Sequence, residues 1–399
     1  MPIDPEAMGK PVILSACRTA TGKFGKSLVG VSAPKLGSVV VGEALKRAKA
    51  SPSEVDEVIM GNVVSAGLGQ NPARQASIGA GIRFGAGAVT VNKVCGSGLK
   101  AIMLAAQAIR AGDSDLIVAC GMESMSNAPH IVRGERWGVR LGDARLLDAM
   151  ILDGLWDVYH DYHMGMTGEN IAKRYGVTRQ EADEFACESQ MKASKALEAK
   201  LFDGEIVKVS VMQEDGEVIE FDKDECIRPD TTLEKLGKLK PAFKQRGVCT
   251  AGNSSQLSDG ASALVVASKA AAERLGVKPL AEIVAYGSGG LEPARVMEAP
   301  IPTTKTLLKK AKMTVDDIDL FEHNEAYSTA SIVVRRELGI PREKFNVNGG
   351  AVALGHPLGC SGARVLTTLI YNLRRTKKET GLATICLGGG NAVSMIIRR

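Results

Sequence analysis

The sequence predicts an α/β protein made of two duplicated halves, each a mixed sheet with helices on its faces, the first half carrying an insertion. Three observations point there. CGSGLKAIMLAAQAIRAGDSDLIVACGMES (95–124) and CSGARVLTTLIYNLRRTKKETGLATICLGGG (360–390) run in one order: glycine-rich turn, amphipathic helix, strand, glycine. Cys95 to Cys120 and Cys360 to Cys386 span nearly equal lengths of chain. Strand patterns alternate with helical ones at both ends, the mark of βαβ units and largely parallel sheets. A chain of 399 residues is also too long for one ordinary core.

In chain order, PVILSACRTATGKFG opens the first half with a buried strand. SEVDEVIMGNVV follows, an acidic helix start leading into an apolar strand, and TVDDIDLFEHNEA repeats that pattern in the second half. Residues 121–248 interrupt the first half with charge, methionine and local helix signals. Among these, TRQEADEFACESQMKASKALEAK starts on a Thr with a Glu three residues on. AGNSSQLSDGASALVVASKAAAERLG then supplies turn, strand and helix to close the half, and LAEIVAYGSGGLEPA opens the next. The boundaries are therefore 1–120 completed by 249–275, an inserted loop domain over 121–248, and a second half over 276–399. A pseudo-two-fold axis would bring the helix starts after Cys95 and Gly359 to one central region. Helix N-termini suit thiolates and oxyanions.

Composition excludes several classes. Hydrophobic residues at 45% and charged residues at 24% describe a globular chain, and the net charge of +5 is spread without a basic run fit for nucleic acid. No apolar run reaches the ~18 residues of a membrane span. MPIDPEAMGK is acidic and lacks a signal-peptide pattern, so a cytoplasmic enzyme is expected. None of the eight cysteines forms a C-x-x-C pair or a zinc-site spacing, which leaves reduced thiols and no metal.

The chemistry sits in three glycine-dense segments. Cys95 precedes a helix pattern, where a thiol is expected to have a depressed pKa. His356 lies in GGAVALGHPLGCSGA, stiffened by Pro357, and Cys386 ends an apolar strand before GGG, whose N–H groups could receive an oxyanion. A buried structural cysteine or a satisfied loop histidine would explain any one of them; the three together point to a nucleophile, a base and an acid–base partner.

NKVCGSGLKA, GMESMSNAPH, DGLWDVYHDYHMG, LKPAFKQRGVCTAGNSSQLSDGA, NEAY, NVNGGAVALGHPLGCSGARV and CLGGGNA together make the chain resemble the thiolase family along essentially its whole length. The resemblance implies a thiolase fold of two halves packed as five layers around an inserted loop domain, with no metal or organic cofactor. It implies acetyl-CoA C-acetyltransferase activity, in which two acetyl-CoA molecules equilibrate with acetoacetyl-CoA and CoA through an acetyl-cysteine. A broader 3-ketoacyl-CoA thiolase is the alternative. Retention of Cys95, His356, Cys386 and Asn324 together argues against a non-catalytic CoA-binding subunit.

By the same resemblance Cys95 carries the acyl group, His356 activates it, and Cys386 moves the α-proton. Asn324 holds a water that joins His356 in one oxyanion hole, and the N–H groups of Cys95 and Gly388 form the other. His163 contacts the pantetheine region and Met164 narrows the acyl pocket, as in short-chain biosynthetic members. Leu155, Arg228, Phe243, Ala251, Ser255 and Ala326 line the coenzyme A tunnel. SNAPHIVRGERWGVRLGDARLL (126–147) resembles the loop that joins dimers into tetramers, so a homotetramer is expected, with no nucleic-acid or membrane partner. The chain departs from the family at His323 and Tyr327, where Ala and Phe are usual, at Asn391 and Ala392, and at Lys235.

Overall fold

The computed structural model describes residues 9–213 and 215–399. The start of the chain, MPIDPEAM, where a targeting pattern was sought, lies outside the described residues. The first half contributes strands β1 (Val12–Thr19), β2 (Glu57–Gly61), β3 (Gly87–Val91), β4 (Leu116–Ser124) and β5 (Ser258–Ala267). The second contributes β6 (Ala281–Gly290), β7 (Leu320–His323), β8 (Thr380–Leu387) and β9 (Asn391–Arg398). Their spatial order is β7-β8-β9-β6-β1-β5-β4-β2-β3. The halves meet where β1 and β6 pair antiparallel over Val12–Glu282 and Ile13–Ala281.

Between the strands named above, parallel pairing occurs only in the outer part of each half, β4-β2-β3 and β7-β8, while β1 also runs parallel to the short Ile206–Val207 segment of the insertion. The inner ladders β1-β5, β5-β4, β6-β9 and β9-β8 are antiparallel, so the sheets are less parallel than the alternation of elements predicts. The reason is local for β8 and β9: the short Gly388–Gly390 connection must reverse the chain, and Gly389 and Gly390 take the left-handed φ that this turn needs.

Helices α1 (Ala33–Arg47) and α2 (Pro72–Gly79) cover the outer face of the first sheet. α3 (Ser97–Ala111) lies between the sheets, its small and apolar residues Leu99, Ala101, Ile102, Ala105 and Ala106 all buried. In the insertion, α4 (Gly165–Tyr175) precedes α5 (Arg179–Glu198), which opens on a reciprocal cap between Thr178 and Glu181. The insertion is tied to the first sheet by Arg18, fully buried and bonded to Glu205 at 2.6 Å and Asp224 at 2.7 Å. α6 (Lys269–Leu275) closes the first half, and α7 (Pro300–Ala311) and α8 (Ser328–Leu338) belong to the outer face of the second. The long α9 (Leu358–Thr376) joins α3 in the central layer, giving helix, sheet, helix, sheet, helix. Among the described residues no helix is long and apolar enough to cross a membrane.

The central layer is unusually tight. A Cβ on Gly98 would lie 2.7 Å from Ala363 N, and one on Gly362 would lie 2.4 Å from Leu99 N. Both obstacles are backbone atoms that cannot swing aside. Gly362→Ala should therefore cost at least ~2 kcal/mol through forced separation of the two helices. Gly42→Ala, on α1 with no neighbour inside 4 Å, should instead stabilise by ~0.5–1 kcal/mol. Urea unfolding midpoints of the two variants check this, and equal shifts would show that α3 and α9 tolerate a wider spacing.

Candidate active site

Cys95 sits just before α3 on a sharply turned loop. Val94 adopts φ +46°, an uncomfortable conformation for a β-branched side chain. Two bonds hold it: Val94 N donates to Asn92 Oδ1 at 2.9 Å, and Ser97 Oγ donates to Val94 O at 2.6 Å. The turn aims Cys95 into a small cavity of about 40 Å³ that it shares with His356 and Cys386. Leu155, Met164, Ser255, Ala326, Tyr327 and Gly388 also line it.

His356 lies just before α9. Ser361 Oγ donates to Pro357 O at 2.8 Å, so its single proton is used and it can only accept from His356 Nδ1. That fixes the proton of the neutral imidazole on Nδ1 and leaves the Nε2 lone pair available as a base. Asn324 Nδ2 approaches Nε2 at 3.4 Å, and Asn324 itself is held by its N–H to Thr384 O at 3.1 Å. Burial, helped by the Arg364 guanidinium, holds the imidazole down at about 3, so it is neutral at physiological pH. Cys386, at the end of β8, is buried and donates its S–H to Met297 Sδ at 3.7 Å.

Neither thiol is acidic, which corrects the expectation for Cys95. Burial pushes Cys95 up, and negative charge on Cys386 would push it further; the N–H groups of Cys95 and Gly388 pull the other way and lose. Burial likewise lifts Cys386 to about 12. The helix start is there, but desolvation outweighs it, because the nearest charges are not cations. The resting site is two neutral thiols and a neutral base.

The other predicted residues divide. His163 stacks on Phe243 with ring centroids 5.0 Å apart, and Phe243 meets Tyr327 edge-on at 5.9 Å, so His163 and Phe243 stand behind Tyr327, the one member of this aromatic row that lines the cavity. Arg228 lies away from the cavity, and Nε and Nη2 of its guanidinium have no hydrogen-bond partner among the described residues. Ala251 is exposed on a turn. Of the family departures, Tyr327 reaches the cavity, whereas His323 is buried against Phe345 with Nδ1 on Ser331 Oγ at 3.0 Å. Asn391 accepts from Lys93 Nζ at 3.3 Å and so links the Cys95 loop to the Cys386 loop. Lys235 pairs with Asp230 in solvent. Sequence reading missed Met297, in a segment with no glycine pattern or repeat to mark it, and Ser361, whose role depends on helix geometry.

Residues 11–270 match the family model for the thiolase N-terminal domain, and residues 277–399 match that for the thiolase C-terminal domain. The chain is 52% identical to a Cupriavidus necator protein named acetyl-CoA acetyltransferase, over 97% of this chain and 99% of that one. It is 51% identical to a Pseudomonas aeruginosa protein of the same name, again over 97% and 99%. The crystal structure of the Bacillus anthracis acetyl-CoA acetyltransferase superposes with a TM-score of 0.96 at 41% identity, covering 98% of this chain and 99% of that one.

A raised thiol has a direct readout. In the ligand-free protein, alkylation of Cys95 by iodoacetamide should climb steadily from about pH 7 to about pH 10. A rate that levels off below about pH 8 would mean a thiolate already present at neutral pH, against the balance of burial over N–H donation described here.

Proposed function

The chain belongs to the thiolase family, and we propose that it is an acetyl-CoA C-acetyltransferase, interconverting two acetyl-CoA with acetoacetyl-CoA and CoA. The observation that carries this is the shared cavity of Cys95, His356 and Cys386, with the Cys95 and Gly388 N–H groups directed at the Cys95 sulfur. Claisen condensation needs a covalent acyl carrier and a separate base, because a sulfur that is acylated cannot also take a proton.

The protons balance through the three groups. His356 Nε2 takes the Cys95 proton as the sulfur attacks the acetyl-CoA carbonyl, and the oxyanion faces the N–H groups of Cys95 and Gly388. As the C–S bond to CoA breaks, the Cys386 thiol protonates the departing sulfur. Acetyl-Cys95, imidazolium and the Cys386 thiolate remain. The Cys386 thiolate removes the α-proton of the second acetyl-CoA, whose enolate oxygen faces His356 and a water held by Asn324. The carbanion attacks acetyl-Cys95, acetoacetyl-CoA forms, and the imidazolium returns its proton to Cys95. Each high thiol pKa suits a step that moves a proton only while substrate charge develops.

The small cavity and its Met164 wall support a two-carbon acyl group. His163, Phe243, Leu155, Ser255 and Ala326 serve the pantetheine arm, with Arg228 and Ala251 farther out toward the nucleotide. Tetramer assembly through 126–147 is supported by the exposure of Trp137, Leu141 and Leu146 on that loop.

Incubation with acetyl-CoA alone, and with acetoacetyl-CoA plus CoA, should give the opposite products by mass spectrometry; no product in either direction removes the assignment. Cys386→Ser should still take acetyl label on Cys95, more slowly because the acid that protonates the departing CoA sulfur is weakened, yet lose ~10²–10⁴-fold in condensation. Condensation near the wild-type rate would place the base elsewhere. Met164→Ala should raise relative thiolysis of longer 3-ketoacyl-CoAs, and an unchanged chain-length profile in the folded variant would assign the limit to another wall.

A further inference from the structure

The duplication repeats the framework of the site as well as the strands. Gly98 and Gly362 face each other's helices at matching places on α3 and α9. Three residues before them stand Cys95 and Gly359; six before stand Asn92 and His356. In the sheets, Gly61 pairs with Gly121 and His323 with Thr384. Asn62 and Asn324 follow the first member of each pair, while Glu123 and Cys386 lie two residues beyond the second. The first half therefore holds an image of the site in which Asn62, Asn92, Glu123 and Gly359 stand where Asn324, His356, Cys386 and Cys95 stand in the working one.

Glu123 fills that image. Its fully buried carboxylate accepts from Asn62 Nδ2 at 2.8 Å and Val64 N at 3.2 Å through Oε1. Through Oε2 it accepts from Val63 N at 3.0 Å and Gly359 N at 2.9 Å. The two contacts through Oε2 lead to reacting groups. Val63 O accepts from Asn92 Nδ2 at 3.3 Å, and Asn92 Oδ1 accepts from Val94 N, the residue before Cys95. Gly359 lies in the first turn of α9, between His356 and its partner Ser361.

Resting on the acyl-transfer reading above, we infer that Glu123 is a positioning residue: one carboxylate braces both the loop that presents Cys95 and the helix start that presents His356. The first half gives up its own copy of the cavity to make this brace. A neutral amide in its place cannot serve all four donors, because its NH₂ group cannot accept.

Glu123→Gln, which keeps the shape, separates this role from a merely electrostatic one. The Glu123 charge raises the Cys95 thiol, so neutralising it without moving anything would speed alkylation of Cys95. A lost brace does the reverse, since the base drifts from the sulfur. At about pH 8.5, above the value of about 7 to which burial raises the Glu123 carboxyl, iodoacetamide labelling of Cys95 should slow by about fivefold or more, with Cys187, half-exposed on α5, as the unchanged control. Thiolysis should lose about tenfold or more in kcat, with KM within about threefold. Asn92→Ala, at an exposed position, should reproduce the slowing in weaker form, and it carries the test where Glu123→Gln does not fold. Cys95 labelling as fast as wild type or faster in a folded variant overturns the inference. Labelling does not depend on the acyl substrate, so a wild type that makes no acetoacetyl-CoA would remove the proposed reaction and leave the brace to be judged by Cys95 reactivity alone.

Discussion

Everything in this molecule hangs on the contact between α3 and α9. Two helices whose backbones touch at Gly98 and Gly362 have no freedom to slide, because each glycine sees peptide atoms of the other helix at distances a side chain cannot enter. The nucleophile Cys95 and the base His356 stand just outside the N-termini of these helices. Cys95 and His356 come from segments more than half the chain apart, yet they share one cavity because their helices share one crossing. The same crossing is sealed further by strand β4, where Gly121 packs directly on the Gly359 carbonyl.

The electrostatics follow from that tightness. A site buried between two sheets has little water to support charge, so thiols stay protonated and the imidazole stays neutral. Reactivity is then conditional. Acyl transfer arises when a thioester carbonyl offers its developing oxyanion to prearranged N–H groups, and without substrate the neutral thiols react only slowly near pH 7. A protein with eight free cysteines gains from this, since its two working sulfurs are poor targets for oxidants in the unliganded state.

Much of this was legible in the sequence, for a physical reason. Glycines that permit backbone contact, and the turn residues around Cys95, His356 and Cys386, are written as short dense motifs, and the duplicated order of elements is visible as internal similarity. The cap between Thr178 and Glu181 is equally local, and the structure contains it. What depended on three-dimensional surroundings was not legible. The sign of the Cys95 shift follows from desolvation, which no motif encodes. Met297 touches Cys386 from a segment with no pattern of its own. His323 and Tyr327 look alike as departures from the family, yet one is buried against Phe345 and the other faces the acyl cavity. The antiparallel inner ladders follow from chain reversals that element order alone does not specify.

The insertion leaves a mark on how the chain reaches this structure. Strands β4 and β5 are hydrogen-bonded along their full shared length, from Leu116–Ala267 to Ser124–Asp259, yet residues 125–257 lie between them in sequence, the insertion starting within the last residues of β4. Closing so long a loop is slow compared with pairing β8 to β9 across a three-glycine turn. During synthesis the first half must wait, its β4 edge and apolar face uncovered, until β5 has left the ribosome. The second half waits too, because β6 pairs with β9 across residues 291–390, but that interval is shorter and its β8–β9 hairpin forms locally. In a chain whose two halves repeat one pattern, the longer exposure of an unpaired strand edge falls on the half that carries the insertion.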